Sequence, residues 1–130
     1  MAQAGDLAGI CEVLSLIAGE AITKGQLVHW EQDDGKWNAA VDTDTGKFAV
    51  AIEAASADTV AFLAVVKGPV YVVASAAAIG KGAYVIAATT GLVATVGAIG
   101  ETTVYGTIVG TALEAFTTSG TQAIEVGLVG

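Results

Sequence analysis

Apolar and polar positions alternate along this chain with a period of two over short runs, and the runs are separated by glycine-rich turns. In LVHWEQDDGKWNAAV (27–41) a turn at Asp34-Gly35 places Val28, Trp30, Trp37, Ala39 and Val41 on one face. His29, Glu31, Lys36 and Asn38 take the other, wetter face. The same reading around Thr90-Gly91 groups Val85, Ala87, Leu92, Ala94 and Val96. Further strands are expected through Phe48, Val50 and Ile52, through Val60, Phe62, Ala64 and Val66, and near the end through Ile124, Val126 and Leu128. No window sustains a helical period capped at both ends; EAASADTVAFL (53–63) offers at most a helical turn. The expectation is an all-β domain, a small barrel or sandwich.

The strands come in two sets. AITKGQLV (21–28) returns as AIGKGAYV (78–85), and an offset of 57 carried backwards lays EVLSLIAGEAITKG (12–25) on PVYVVASAAAIGKG (69–82). Further on, AIEA (51–54) returns as ALEA (112–115), and TVAFLAVVKG (59–68) as TQAIEVGLVG (121–130), at offsets of 61 and 62. These matches predict two duplicated β units, 12–68 and 69–130, within a single domain of residues 12–130 behind an N-terminal arm of residues 1–11. Two copies are too few for a solenoid and make two halves of one compact body. The arm, MAQAGDLAGIC, lies outside both units and has Leu7 and Ile10 as its sizeable apolar anchors after Met1; it is expected to be mobile until it meets a partner.

Composition adds a question about surface. The chain has 130 residues, 54% of them hydrophobic and only 14% charged, and its mean hydropathy is +0.69. One core does not hide so much apolar surface, so part of it is expected to face a partner or further copies of the chain. The net charge is −8, with five lysines and no arginine. That balance disfavours nucleic acid, which needs cations to displace counterions from phosphates, and it disfavours an anionic membrane surface. The apolar stretch LAGICEVLSLIA (7–18) is too short to span a bilayer and contains Glu12, so the chain is expected to be soluble.

Each chemical motif has a plainer reading. GKG (80–82) lacks the full phosphate-loop pattern and has Gly82 where a hydroxyl would hold magnesium, so it reads as a repeated turn, like TKG (23–25). DTDTG (42–46), with Glu53 beyond it, resembles a calcium loop with its glycine one position early, and reads as an acidic turn. Cys11 is the single cysteine and reads as an inert thiol; His29 is the single histidine and joins no Ser-His-Asp set. Glu53 and Glu114 occupy equivalent places and are expected to share a structural role rather than to act as acid and base. No catalytic residue, metal site or cofactor is expected. Trp30 and Trp37, neighbours on one hairpin face, either anchor the core or meet a partner.

The order of these segments resembles the capsid cement or decoration proteins of tailed phages. The resemblance rests on KGQLVHWEQDDGKWNAAV, then KGAYVIAATTGLVATV, VYGTIVGTALEAF and a closing AIEVGLVG, and it covers residues 20–130 most plainly. The chain departs from that family at Gly80-Lys81-Gly82, where the family has Gly-Asp. The resemblance implies a non-enzymatic structural protein, made in the host cytoplasm, that binds the outer surface of the capsid in the virion. It also implies homotrimers that staple adjacent copies of the major capsid protein. Leu7, Ile10, Trp30 and Trp37 are then the candidate contact residues, the arm adding a strand to a capsid sheet. The alternative is a carbohydrate- or cell-surface-binding β module, which would use exposed aromatics.

Overall fold

In the computed structural model, residues 3–41, 46–74, 81–82, 84–87, 93–95, 108–114 and 120–126 are described. The fold is all-β, a curled, mostly antiparallel sheet of small-barrel type, and among the described residues there is no helix. The strands are β1 (Glu12–Ile17), β2 (Leu27–Trp30), β3 (Trp37–Ala39), β4 (Phe48–Ala51), β5 (Ala61–Ala74), β6 (Tyr84–Ala87), β7 (Val93–Thr95), β8 (Ile108–Ala112) and β9 (Gly120–Val126).

The pairing runs in two circuits that share β5. In the first, β1 pairs with residues 61–67 of β5, β5 with β4, β4 with β2 and β2 with β3. A parallel bridge from Trp37 to Ala18 returns it to β1. In the second, residues 68–74 of β5 pair with β9, β9 with β8, β8 with β6 and β6 with β7. The parallel pair Ala74 and Val93 returns it to β5.

Several register pairs of one circuit have counterparts in the other, although β6–β8 has a bulge between Val85 and Ile86 that β2–β4 lacks. Leu27 faces Val50 as Tyr84 faces Thr111, and Ala51 faces Ala64 as Ala112 faces Ile124. The amide of Gly25 donates to the Ala51 carbonyl and the amide of Gly82 to the Ala112 carbonyl, both at 2.8 Å. Gly25 has φ 91° and Gly82 φ 82°, so the repeated Lys-Gly is a turn whose second residue sits where side chains are disfavoured.

The strand pairings relate the two circuits at offsets slightly different from those of the sequence matches. Ala18 bridges Trp37 as Ala74 pairs with Val93, an offset of 56. Leu14, rather than Val13, therefore corresponds to Val70. Ala64 corresponds to Ile124 at an offset of 60 rather than 62. A one-residue error in a strand reverses its faces, whereas a two-residue error preserves them.

The first hairpin keeps its expected faces with a longer connection. Trp30 lies opposite Trp37 and Val28 opposite Ala39. A two-residue Asp34-Gly35 loop would set Trp30 against Ala39. Instead residues 31–36 form the turn, with Glu31 N–H donating to the Lys36 carbonyl at 2.7 Å and Gly35 at φ 72°. In the second hairpin Val85 lies opposite Thr95 and Ile86 opposite Ala94, so Ala94 does not share a register face with Val85 as expected. The Thr90-Gly91 turn, Leu92, Val96, Asp42 to Thr45 and Gly80 lie outside the described residues.

Small side chains fill the first circuit: Ala18, Ala49, Ala51, Ala55 and Ala64 are buried around Leu16, Ile22, Val28 and Phe62. The other faces of β2, β4 and β5 present Leu27, Val50 and Val65 to a second cluster with Val70, Val72, Val85 and Ile124 from the other circuit. Every residue of β4 is buried because it lies between the two clusters. A fully buried Val, Leu or Phe contributes about 1.5–3 kcal/mol.

The arm does not hang free, contrary to expectation. Gly5 N–H donates to the Tyr71 carbonyl at 2.7 Å, Tyr71 N–H to the Asp6 carbonyl at 2.9 Å and Ala8 N–H to the Pro69 carbonyl at 3.1 Å. Leu7 bridges Val70, which is fully buried. Pro69 fits here because this edge asks of it a carbonyl and no donor.

Candidate interaction surface

The described residues hold no cluster of three or more His, Cys, Asp or Glu side chains able to bind a metal. Glu53 accepts the Leu63 amide at 3.0 Å and Glu114 accepts the Ala123 amide at 3.3 Å, one bond in each circuit. Both glutamates thus engage the strand facing their own hairpin edge. Cys11 donates through Sγ to the Pro69 carbonyl at 2.9 Å, and burial pushes its thiol above the ordinary value, which disfavours the nucleophilic thiolate. His29 is buried rather than wet: its ring packs on Phe48, 5.2 Å between centroids, and Nδ1 lies 3.5 Å from a Glu31 carboxylate oxygen. The residue opposite His29 in the sheet is Phe48, which covers the ring; alternation within β2 alone does not reveal that.

The candidate contact residues fall into two groups. Ile10 is 98% exposed and Leu7 48% exposed, both on the arm before β1. Ile10 stands at an outward kink opposite Gly68, whose φ is 121° and whose missing Cβ would lie 2.9 Å from the Ile10 carbonyl oxygen. Trp37 is bridged to Ala18, just past the last residue of β1, and Trp30 lies opposite Trp37. Both are half-buried. Trp37 packs against the core of the first circuit, and the Lys47 ammonium sits 4.9 Å from the Trp30 ring centroid. Leu7 and Ile10 thus precede β1 in the chain, whereas Trp37 is bridged to the residue that follows it.

Leu14, Trp37, Gly46, Lys47, Phe48 and Val66 line an open groove of about 340 Å³, and Trp37 is also the residue bridged to Ala18. The sequence reading missed Leu14, Lys47, Phe48 and Val66 as a group. Their available signal was the strict alternation Leu14–Leu16 and Phe62–Ala64–Val66 across one strand pair, which gives a shared face but not an opening. Around these sites, the Asp6 carboxyl is held below its ordinary value of 3.8 by the Gln3 amide and then by Lys24, 3.3 Å away. The Lys36 ammonium is raised by its hydrogen bond to Asp58 at 2.9 Å.

No protein-family model matches this chain, and neither does any curated protein. Among solved structures it is similar to the N base of the head fiber gp8.5 of bacteriophage phi29. The TM-score is 0.63 and the identity 14%, over 91% of this chain and 95% of that one. The likeness is one of fold. It spans both circuits, so the head fiber base repeats the arrangement as a whole rather than one hairpin of it.

Proposed function

We propose that this chain is a non-enzymatic structural protein of a phage head, bound to the outer surface of the capsid, where it stabilises contacts between copies of the major capsid protein. The observation that carries the reading is the fold likeness to a head fiber base over nearly the full length of both chains. The sequence resemblance to cement proteins points the same way independently. The exposed Ile10 and Leu7 supply apolar contacts on a segment held at a strand edge, and the glutamates that tempt a catalytic reading are engaged by backbone amides. A homotrimer would cover further apolar surface at Ile17 and Leu63, which are 44% and 38% exposed on adjacent strands. We further infer that the two circuits descend from one duplicated unit.

The alternative, a carbohydrate- or cell-surface-binding module, needs an open aromatic face. Lys47 covers one face of the Trp30 ring, and Trp37 is partly taken up by the core. The deciding experiment is co-sedimentation of the purified protein with emptied, expanded phage shells. Saturable binding at a fixed ratio to the major capsid protein is expected. Absence of binding to shells, together with retention on a glycan surface, would overturn the reading in favour of the alternative.

A further inference from the structure

Among the described residues the two circuits differ along one outward strand edge. In the second, the outward edge of β5 is filled: Pro69 and Tyr71 bond to arm residues 5–8, Val73 N–H donates to the Gly25 carbonyl at 3.2 Å, and Ala74 then meets β7. In the first, the corresponding residues are Val13, Ser15 and Ile17 of β1, ending at Ala18 and its bridge to β3. Ala18 N–H donates to the Val60 carbonyl and its carbonyl accepts from Thr59 N–H, so even-numbered residues of β1 point their backbone groups towards β5. Odd-numbered residues point theirs away. Leu63, opposite Ser15, agrees: its carbonyl accepts Ile52 N–H on the side of β4. Among the described residues β5 is the only strand that pairs along β1, and no described backbone group bonds this outward edge.

The side chains record the same difference. Val70 is fully buried, whereas Leu14, its counterpart, is 48% exposed and lines the groove with Trp37 and Val66. We propose that the β1 edge from Val13 to Ile17 accepts an extended acidic segment of a partner protein, which adds a strand antiparallel to β1 and sets an apolar side chain over Leu14 and Trp37. The charge follows from the lining. Lys47 is the one charged residue in the described wall of the groove, as Lys24 is the cation that holds Asp6 of the arm on the filled edge. The arm sequence Gly5-Asp6-Leu7-Ala8 shows what such an edge takes: small residues beside a carboxylate and a branched apolar residue. Backbone hydrogen bonds would supply affinity, and the Lys47 wall selectivity. The site deepens the capsid reading and rests on it only for where the segment comes from.

The test uses full-length protein and a capped synthetic peptide, QAGDLAGI, with a second peptide in which its Asp is Lys. Titration calorimetry should show saturable binding of the acidic peptide and about tenfold weaker binding of the basic one. Ser15→Pro removes the outward amide and blocks the edge while leaving the arm site intact, and should weaken the acidic peptide by about tenfold or more. Lys47→Glu, which keeps the backbone edge, should reverse the preference between the peptides. Equal binding of the acidic peptide to Ser15→Pro, or none to the wild-type chain, overturns the proposal. So does a fall of the free protein to a smaller oligomer on Ser15→Pro, which would assign the edge to a second copy. Shell binding that persists without peptide binding refutes this site and leaves the capsid reading standing.

Discussion

Glu53 accepts the backbone amide of Leu63 at 3.0 Å, ten residues along the chain and across the return from β4 to β5. Glu114 does the same for Ala123 between β8 and β9. Each carboxylate thus receives a backbone amide from the strand that follows it in the chain. Replacing either by Ala should cost about 1–2 kcal/mol, with Gln retaining much of it, since a charged acceptor makes the stronger bond. Urea unfolding of Glu53→Ala, Glu114→Ala and the two Gln variants tests this. Unequal losses, with one near zero, would show that the two bonds do not serve the same purpose.

Deleting residues 3–10 should destabilise the protein. It removes the Leu7–Val70 bridge and three backbone hydrogen bonds from the β5 edge. The expected loss is on the order of 2–3 kcal/mol, read as a lower urea midpoint. An unchanged midpoint would mean that arm pairing adds nothing to the fold. Ile10→Asp, in contrast, should leave the midpoint within about 0.5 kcal/mol of wild type, because the side chain is almost wholly exposed, while weakening attachment to shells.

Acid should loosen the arm before the body. The Asp6 carboxyl is lowered by the Gln3 amide and Lys24, so its contribution is fully present above the unfolded value of 3.8 and is lost as pH falls below that towards the folded value. Hydrogen exchange at the Tyr71 amide, which bonds to the Asp6 carbonyl, should therefore quicken relative to its intrinsic rate as pH falls below 3.8. In Asp6→Asn the extra pH dependence should vanish. Identical profiles for the two proteins would remove Asp6 as the latch.

Gly68→Ala should cost about 1–3 kcal/mol. The backbone there has φ 121°, and an added Cβ would also meet Cys11 Cα at 3.0 Å. Denaturant unfolding checks it, with Gly35→Ala as the comparison: Gly35 also has positive φ, but a Cβ there meets nothing within 4 Å. A Gly68 variant no worse than the Gly35 variant would show that close approach to the arm carries no cost.

Much of this fold could be read from the sequence, because period-two alternation and repeated Lys-Gly turns are local signals. Val28, Trp30, Trp37 and Ala39 share a face for that reason, even though the turn between them is longer than Asp34-Gly35 suggests. What escaped depended on distant neighbours. His29 alternates as a polar residue should, yet Phe48 from another strand covers it. The arm carries too few large side chains to announce a docking edge; small residues such as Gly5 and Ala8 fit there because of backbone bonds that no hydropathy pattern records. The groove beside Leu14 was hidden by a single-residue slip, since aligning Val13 with Val70 exchanges the inward and edge-facing positions of β1.

The shared strand β5 has a thermodynamic consequence. Its first half completes one circuit and its second half the other, and Gly68-Pro69 joins them with no loop between. Loss of β5 from either circuit opens that ring and frays the strand into its neighbour, while the Val65 and Val70 side chains leave the same apolar cluster. The two halves are therefore coupled as one melting unit, and damage in either is felt by the whole molecule rather than confined to the half that carries it.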